Sequence, residues 1–409
     1  MSTAADIRGA PVYFSAPGVI CGAGDGCEEL WHACTAGSQA GIKKVKSLSG
    51  KEFYVGRVAD EKLTKTNARF DMRLIRIADA ALNQLNDGIA DAISKYGKKR
   101  VAVCVGSCDN GTELSLQAHK EYFSTGKFPA GYSLEMQGAD YPATYVSEKY
   151  GVTGPSLAFS TACSSSAGAI IKAAELIRGG FADAVIAGGV DVISDTVLLG
   201  FDSLEAVSSG ITNPFSVNRH GITLGEGAAF FVMTKNAPAD GATVRLLGYG
   251  ETADAYHMTS PDPEGTCAAE AMREALARAG LSAQDIDYVN LHGTGTKFND
   301  SMEAKAVNNV FSAQHTPVSS TKTLTGHTLG AAGALEAAVC YTAIIKNRNK
   351  SGSGISLPVQ VWDEAQDPAL PVINIVTKER PAATKGRVDV CMSNSFAFGG
   401  SNASLILGV

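Results

Sequence analysis

The nine cysteines of this 409-residue chain form no CxxC pair and no regular spacing, so no disulfide framework is encoded. Eight of them (Cys21, Cys27, Cys34, Cys104, Cys108, Cys267, Cys340 and Cys391) read as reduced thiols of a cytosolic protein. Residues Met1 to Val19 hold no charged-then-apolar leader, and no apolar run is long enough to cross a membrane. A soluble, cytoplasmic protein is therefore expected. Positive charge is also in deficit: 35 Lys and Arg against 41 Asp and Glu leave a formal charge of −6, which gives no reason to expect a nucleic-acid partner. No low-complexity tail follows the closing apolar stretch Asn402 to Leu407.

What the chain does have is apolar residues (45%) and glycine (44 residues), the composition of a well-buried α/β protein with many tight turns. Strand-like runs such as Val101 to Val105, Ala184 to Ala187 and Ala228 to Met233 alternate with helical periodicity, which argues for layered α/β architecture. The segment Asn236-Ala237-Pro238-Ala239-Asp240-Gly241 is the best internal boundary and divides the chain into residues 1–240 and 241–409.

One thiol stands apart from the others. Ser156-Leu157-Ala158-Phe159 reads as a short strand, and Ala167, Ile170, Ile171, Ala174 and Ile177 recur at helical spacing until Gly179-Gly180. Cys163 lies between them, at a helix entrance, where unpaired N–H groups and the helix dipole favour a thiolate. A free cysteine is ordinarily just a small buried hydrophobe, so this segment alone leaves both readings open.

The second half supplies groups of matching kind. His292 leaves a strand into the Gly/Thr-rich turn Asn290-Leu291-His292-Gly293-Thr294-Gly295-Thr296. His327 closes Ser320-Thr321-Lys322-Thr323-Leu324-Thr325-Gly326-His327, ahead of the small-residue helix that begins at Leu329. Paired glycines in Phe396-Ala397-Phe398-Gly399-Gly400 free the backbone to aim N–H groups inward. Each piece alone is weak, but the order Cys, His, Lys, His, Gly-Gly over nearly the whole chain resembles the elongating, two-histidine β-ketoacyl-acyl carrier protein synthases.

That resemblance implies a duplicated thiolase fold, two similar α/β halves in five α-β-α-β-α layers. It implies decarboxylative condensation, with Cys163 accepting the acyl group and His292 and His327 holding the malonyl thioester oxygen as the enolate forms. Backbone N–H groups of Cys163 and Phe398 would form the oxyanion hole. Lys322 would pair with Glu336 and hold the His327 loop. Thr294 and Thr296 match threonines that contact the pantetheine arm, and Phe398 matches a gating phenylalanine; turn and packing roles are the plain alternative for these three. The family needs no metal and no bound cofactor, since phosphopantetheine arrives on the acyl carrier protein with the acyl and malonyl thioesters. A homodimer is expected, with a heterodimer containing a chain-length factor as the alternative.

Related activities separate within the sequence. Thiolases place a second cysteine in the last glycine-rich loop, where this chain has Phe396 and Phe398; priming synthases replace one histidine by asparagine, and non-catalytic chain-length subunits lose the nucleophile. There are departures as well: Lys297 follows Thr296 where proline is usual, and Ser216 and His220 stand where aspartates are common, so His220 reads as structural. Cys108 and Asp109, with Asn110, match a loop that lines the acyl pocket. Polar groups there favour a short, unsaturated or polar-ended chain of polyene or polyketide type, unless the side chains turn away to cap a helix. Lys62, Lys65, Arg69, Arg73 and Arg76 form a basic stretch, the last three on one expected helical face; Lys65 and Arg69 are the candidates for docking the acidic carrier, and Lys120 and Lys127 come next.

Overall fold

A computed structural model describes residues 9–109, 111–237, 243–311, 316–350, 354–381 and 386–409. Asn110 and the expected boundary at residue 240 lie outside the described residues. The strands that frame the site are β1 (Tyr13–Phe14), β2 (Gly18–Cys21), β3 (Val101–Gly106), β4 (Ser156–Phe159), β5 (Ala184–Asp191), β6 (Gly227–Thr234), β7 (Arg245–Ala253), β8 (Tyr288–Asn290), β9 (Val318–Ser319), β10 (Val390–Phe396) and β11 (Ser401–Gly408). Their order is β9-β8-β10-β11-β7-β1-β6-β5-β3-β4, with β2 also against β6. β1 joins two similar sheets: Tyr13 pairs with Thr234 on one side and Arg245 on the other.

The two sheets repeat one pattern. β3 runs parallel to β4 and β5, and β6 closes antiparallel on β5. Likewise β8 runs parallel to β9 and β10, and β11 closes antiparallel on β10. The helices that sandwich these sheets include α1 (Arg73–Asn83), α2 (Tyr141–Tyr150), α3 (Ser165–Arg178), α4 (Thr266–Ala279), α5 (Lys297–Phe311) and α6 (Ala332–Asn347). α3 and α6 share one apolar core with the inner faces of both sheets, α1 and α2 pack on the outer face of the first, and α4 and α5 on that of the second. The result is the five-layered arrangement.

Alternation within the strands explains the layering. In β3, Ala102 and Cys104 face the central helices while Val101, Val103 and Val105 face the outer layer, so both faces are apolar, as a sheet covered on both sides requires. Between α3 and α6 the backbones come close: a Cβ on Gly333 would stand 2.8 Å from the Ala167 Cβ, so only glycine fits. The apolar stretch Leu329–Asn347 is long and apolar enough to cross a membrane by length and composition, contrary to the sequence expectation. It lies mostly buried inside the protein, and its apolarity serves the central layer.

Candidate functional site

Every candidate catalytic group follows the C-terminal end of a parallel strand. Cys163 follows β4, His292 follows β8, Lys322 and His327 follow β9, and Phe398 follows β10. Open α/β sheets place their sites at this end. Cys163 sits in a 3₁₀ turn, Ala162–Ser164, that feeds α3; the matching turn Leu329–Ala331 feeds α6. Both turns open on a non-glycine residue in the left-handed region, Ala162 at φ 51° and Leu329 at φ 50°. Such a conformation costs about 1–2 kcal/mol per residue and persists where the surrounding structure enforces it.

Cys163 is 6% exposed, and its Sγ lies 3.0 Å from His327 Nε2. The rings of His292 and His327 meet edge to face with centroids 5.1 Å apart. Ligating atoms of the cysteine and both histidines all lie within 4.8 Å of one another, a set that could equally hold a metal ion. The Phe398 backbone N–H lies on the thiol side of its turn, where it favours the charged form of the sulfur. It reaches there because Gly399 and Gly400 take φ of 86° and 78°, the left-handed region open to glycine. The Phe398 ring stacks on Phe201, centroids 5.8 Å apart.

These groups line a cavity of about 490 Å³ that also holds Thr294, Thr296, Lys297, Phe298 and His220. His220 is held by the hydroxyls of Ser208 and Ser209 at 3.1 and 2.9 Å. Thr296 also caps α5, its hydroxyl accepting from the Asn299 N–H at 3.3 Å. Lys322 pairs with Glu336 in the interior, the lysine 1% and the glutamate 3% exposed.

Burial dominates the electrostatics. It pushes the Cys163 thiol up to about 12, against the Lys322 charge and the Phe398 N–H, so the thiolate favoured by the helix entrance alone is outweighed. Burial, and then the Lys322 charge, hold both imidazoles well below their ordinary value. Burial also raises Glu336 to about 7, with Lys322 acting the other way. The resting site is thus a neutral thiol beside two neutral imidazoles.

Several residues lie apart from the place the sequence suggests. Cys108 and Asp109 do not line this cavity. Cys108 Sγ bonds to the Ala162 carbonyl at 3.1 Å, behind the nucleophile turn. Asp109 turns toward the helix Thr112–Thr125 and accepts from Thr112 and, at 2.9 Å, from the Ser194 hydroxyl. Its buried carboxylate is therefore hydrogen-bonded, which removes the argument for a polar acyl chain built on it. Arg69, Arg73 and Arg76 do not share a helical face, because α1 begins only at Arg73. Arg69 is bound by Glu135 and Glu148, Arg73 by Glu226 and Asp60, and Arg76 by Asp71. Lys65, Lys120 and Lys127 are exposed.

Sequence reasoning missed two buried carboxylates that shape the site. Glu303 accepts from the backbone N–H groups of His292 and Gly293, both at 2.7 Å, and so fixes the first histidine turn. Asp191, at the end of β5, accepts from Cys108, Asp109 and Gly330 and ties the two halves together behind Cys163. An acidic residue one helical stretch beyond the histidine motif, and another closing a Gly-Gly strand, were the available signals.

Residues 18–239 match the family described as beta-ketoacyl synthase, N-terminal domain, and residues 243–348 match its C-terminal domain. The chain belongs to the β-ketoacyl synthase family. It is 32% identical to the 3-oxoacyl-[acyl-carrier-protein] synthase 2 of Coxiella burnetii, over 97% of this chain and 98% of the relative. It is also similar to a ketosynthase solved in complex with its chain length factor from Xenorhabdus doucetiae, at 37% identity, TM-score 0.89 and full coverage of both chains. A beta-ketoacyl synthase from Burkholderia phymatum matches at 30% identity and TM-score 0.80, over 98% of this chain and 99% of that one. This β-ketoacyl synthase is accordingly an acyltransferase of the condensing class, acting in carrier-bound acyl elongation.

Proposed function

We propose that the enzyme elongates carrier-bound acyl groups by decarboxylative Claisen condensation at Cys163. The observation that carries this reading is the 3.0 Å contact between Cys163 Sγ and His327 Nε2, with His292 beside it in one cavity. In the first half-reaction the Cys163 sulfur attacks the acyl thioester, its proton passes by way of His327 to the departing pantetheine thiol, and the tetrahedral oxyanion rests on backbone N–H groups of Cys163 and Phe398. In the second, malonyl thioester loses carbon dioxide, and the electron pair of the broken bond moves to the thioester oxygen, held by N–H groups of His292 and His327. The enolate carbon then attacks the acyl-Cys163 carbonyl, the carbon–sulfur bond breaks to release the Cys163 thiolate and β-ketoacyl-carrier protein, and a proton taken up from water restores the thiol. Neutral imidazoles suit this role, since each keeps one N–H to donate. Thr294, Thr296 and Phe398 would hold the pantetheine arm and gate the cavity, and the chemistry needs no metal or resident cofactor.

A pH profile tests the imidazoles. In Cys163→Ala, decarboxylation of malonyl-carrier protein should be flat from pH 5.5 to 6.5, because histidines held well below 6.5 have already lost their extra proton there, and Glu336 titrates higher, at about 7. A tenfold loss toward the acidic end that persists in Glu336→Gln, where that carboxyl no longer titrates, would contradict neutral imidazoles.

Lys322 and Glu336 act as a buried brace for the His327 loop. Glu336→Ala strands an ammonium in the core and should cost about 3–5 kcal/mol in denaturant unfolding. Lys322→Ala should cost less, because a carboxyl already raised to about 7 can take a proton. Equal and small losses would refute the brace.

For substrate, we favour a specialised polyene or polyketide elongation over saturated fatty-acid synthesis, supported by the 37% identity to a ketosynthase that works with a chain length factor. A panel of carrier-bound acyl groups decides it: unsaturated or short chains should be elongated at least tenfold faster than saturated medium and long ones, and the reverse order would return the enzyme to ordinary fatty-acid synthesis. We place the partner, a second copy or a chain-length subunit, on β4, a sheet edge whose side chains stay exposed or half-exposed. Lys65 remains the better docking candidate for carrier protein, since Arg69 is already held by two carboxylates. A cytoplasmic location fits these carrier-bound substrates.

A further inference from the structure

Lys297 is placed against the local preferences of its helix. It is the first residue of α5, a 15-residue helix whose positive dipole end favours an anion or proline at that position and disfavours a cation. Its backbone carbonyl is held by Arg219 at 3.4 Å, and its exposed side chain lines the mouth of the cavity that leads to Cys163. No ion pair to Lys297 is found among the described residues. The other titratable groups lining that cavity, apart from the catalytic three, are Glu205 and His220; His220 is held by two serine hydroxyls. Next to Lys297, Phe298 is 69% exposed, so this rim joins an apolar surface to an uncommitted cation. The ammonium is hydrated where it stands, and its place at the mouth of the catalytic cavity, with no carboxylate paired to it, leaves it open to an anion that enters with the substrate.

We infer that Lys297 receives the phosphodiester of the incoming phosphopantetheine arm and sets the affinity for phosphate-bearing thioesters. The inference rests on the ketosynthase reading and names a substrate contact at the same site. The shared chemistry, a single anion on a lysine, could also come from a carboxylate of the carrier protein, and the assay separates the two. Malonyl turnover is measured with malonyl-phosphopantetheine, phosphate-free malonyl-pantetheine and malonyl-carrier protein, for wild type, Lys297→Pro, Lys297→Glu and Lys297→Arg. Proline suits the first helical position, so the Pro variant keeps the fold, and its unchanged kcat on the phosphate-free substrate checks this. The expected result is a KM about tenfold higher for both phosphate-bearing substrates in Lys297→Pro, higher still in Lys297→Glu, recovered in Lys297→Arg, with kcat little changed. A rise confined to malonyl-carrier protein would assign the contact to a carrier carboxylate and overturn the phosphate reading, as would equal KM changes with and without phosphate. Failure of the wild type to turn over any of the three substrates would instead refute the ketosynthase reading itself.

Discussion

Cys163→Ala should lose condensation by about 10⁴-fold or more, the order expected when a covalent nucleophile is removed from a preorganised site, while still releasing carbon dioxide from malonyl-carrier protein. The two outcomes part because the groups are separate. The thiol forms the covalent bond, whereas the oxygen of the malonyl thioester meets His292 and His327, whose rings also pack edge to face on each other. Burial that raises the thiol to about 12 adds a further expectation: acyl transfer depends on moving the proton at the moment of attack, not on a standing thiolate. Loss of decarboxylation together with condensation would mean that the substitution collapses the cavity. Retained condensation would mean that another group carries the acyl chain.

The histidines should divide the work unequally. His292→Ala and His327→Ala each remove one donor from the developing enolate, which in comparable sites is worth about 10²–10³-fold, so decarboxylation should fall by that order in both. Transfer of the acyl group to Cys163 should separate them. His327 touches the sulfur, and no hydrogen bond from His292 to the sulfur is found among the described residues. Acylation should therefore slow markedly in His327→Ala and stay within a few-fold of wild type in His292→Ala. Single-turnover assays with acyl-carrier protein and with malonyl-carrier protein read the two steps independently. Equal damage to both steps in His292→Ala would place that residue in acyl transfer as well, or show that the turn held by Glu303 has come apart.

Much of this was legible in the chain because strand ends write themselves into sequence. Apolar runs that stop at small residues located β4 and β8, and the groups that follow them are the ones that meet in the cavity. The internal repeat was invisible in residue identity: Ala162-Cys163-Ser164 and Leu329-Gly330-Ala331 share almost no side-chain chemistry, yet both turns place their first residue near φ 50° and feed a central helix. Side-chain direction inside a turn was equally out of reach. Asp109 is captured by Thr112, three residues on, and by Ser194, 85 residues away; the first contact is the helix-capping alternative open in the sequence, and the second, which decides for it, has no local signal. The basic stretch misled for a related reason: helical spacing was extended back to Arg69, but the chain is extended at Met72 (φ −132°, ψ 157°) and α1 starts after it. The thiolate expectation considered only the helix entrance, whereas the site lies in the core and burial is the larger effect.

Mass mapping of the acyl adduct tests the assignment of Cys163 most directly. The enzyme is incubated with acyl-carrier protein without malonyl donor, digested, and the added mass located by peptide. One acyl group on the peptide that carries Cys163, discharged on addition of malonyl-carrier protein and absent in Cys163→Ala, is the expected result. An adduct on Cys108 or any other of the nine cysteines, or condensation with no adduct on Cys163, would contradict it.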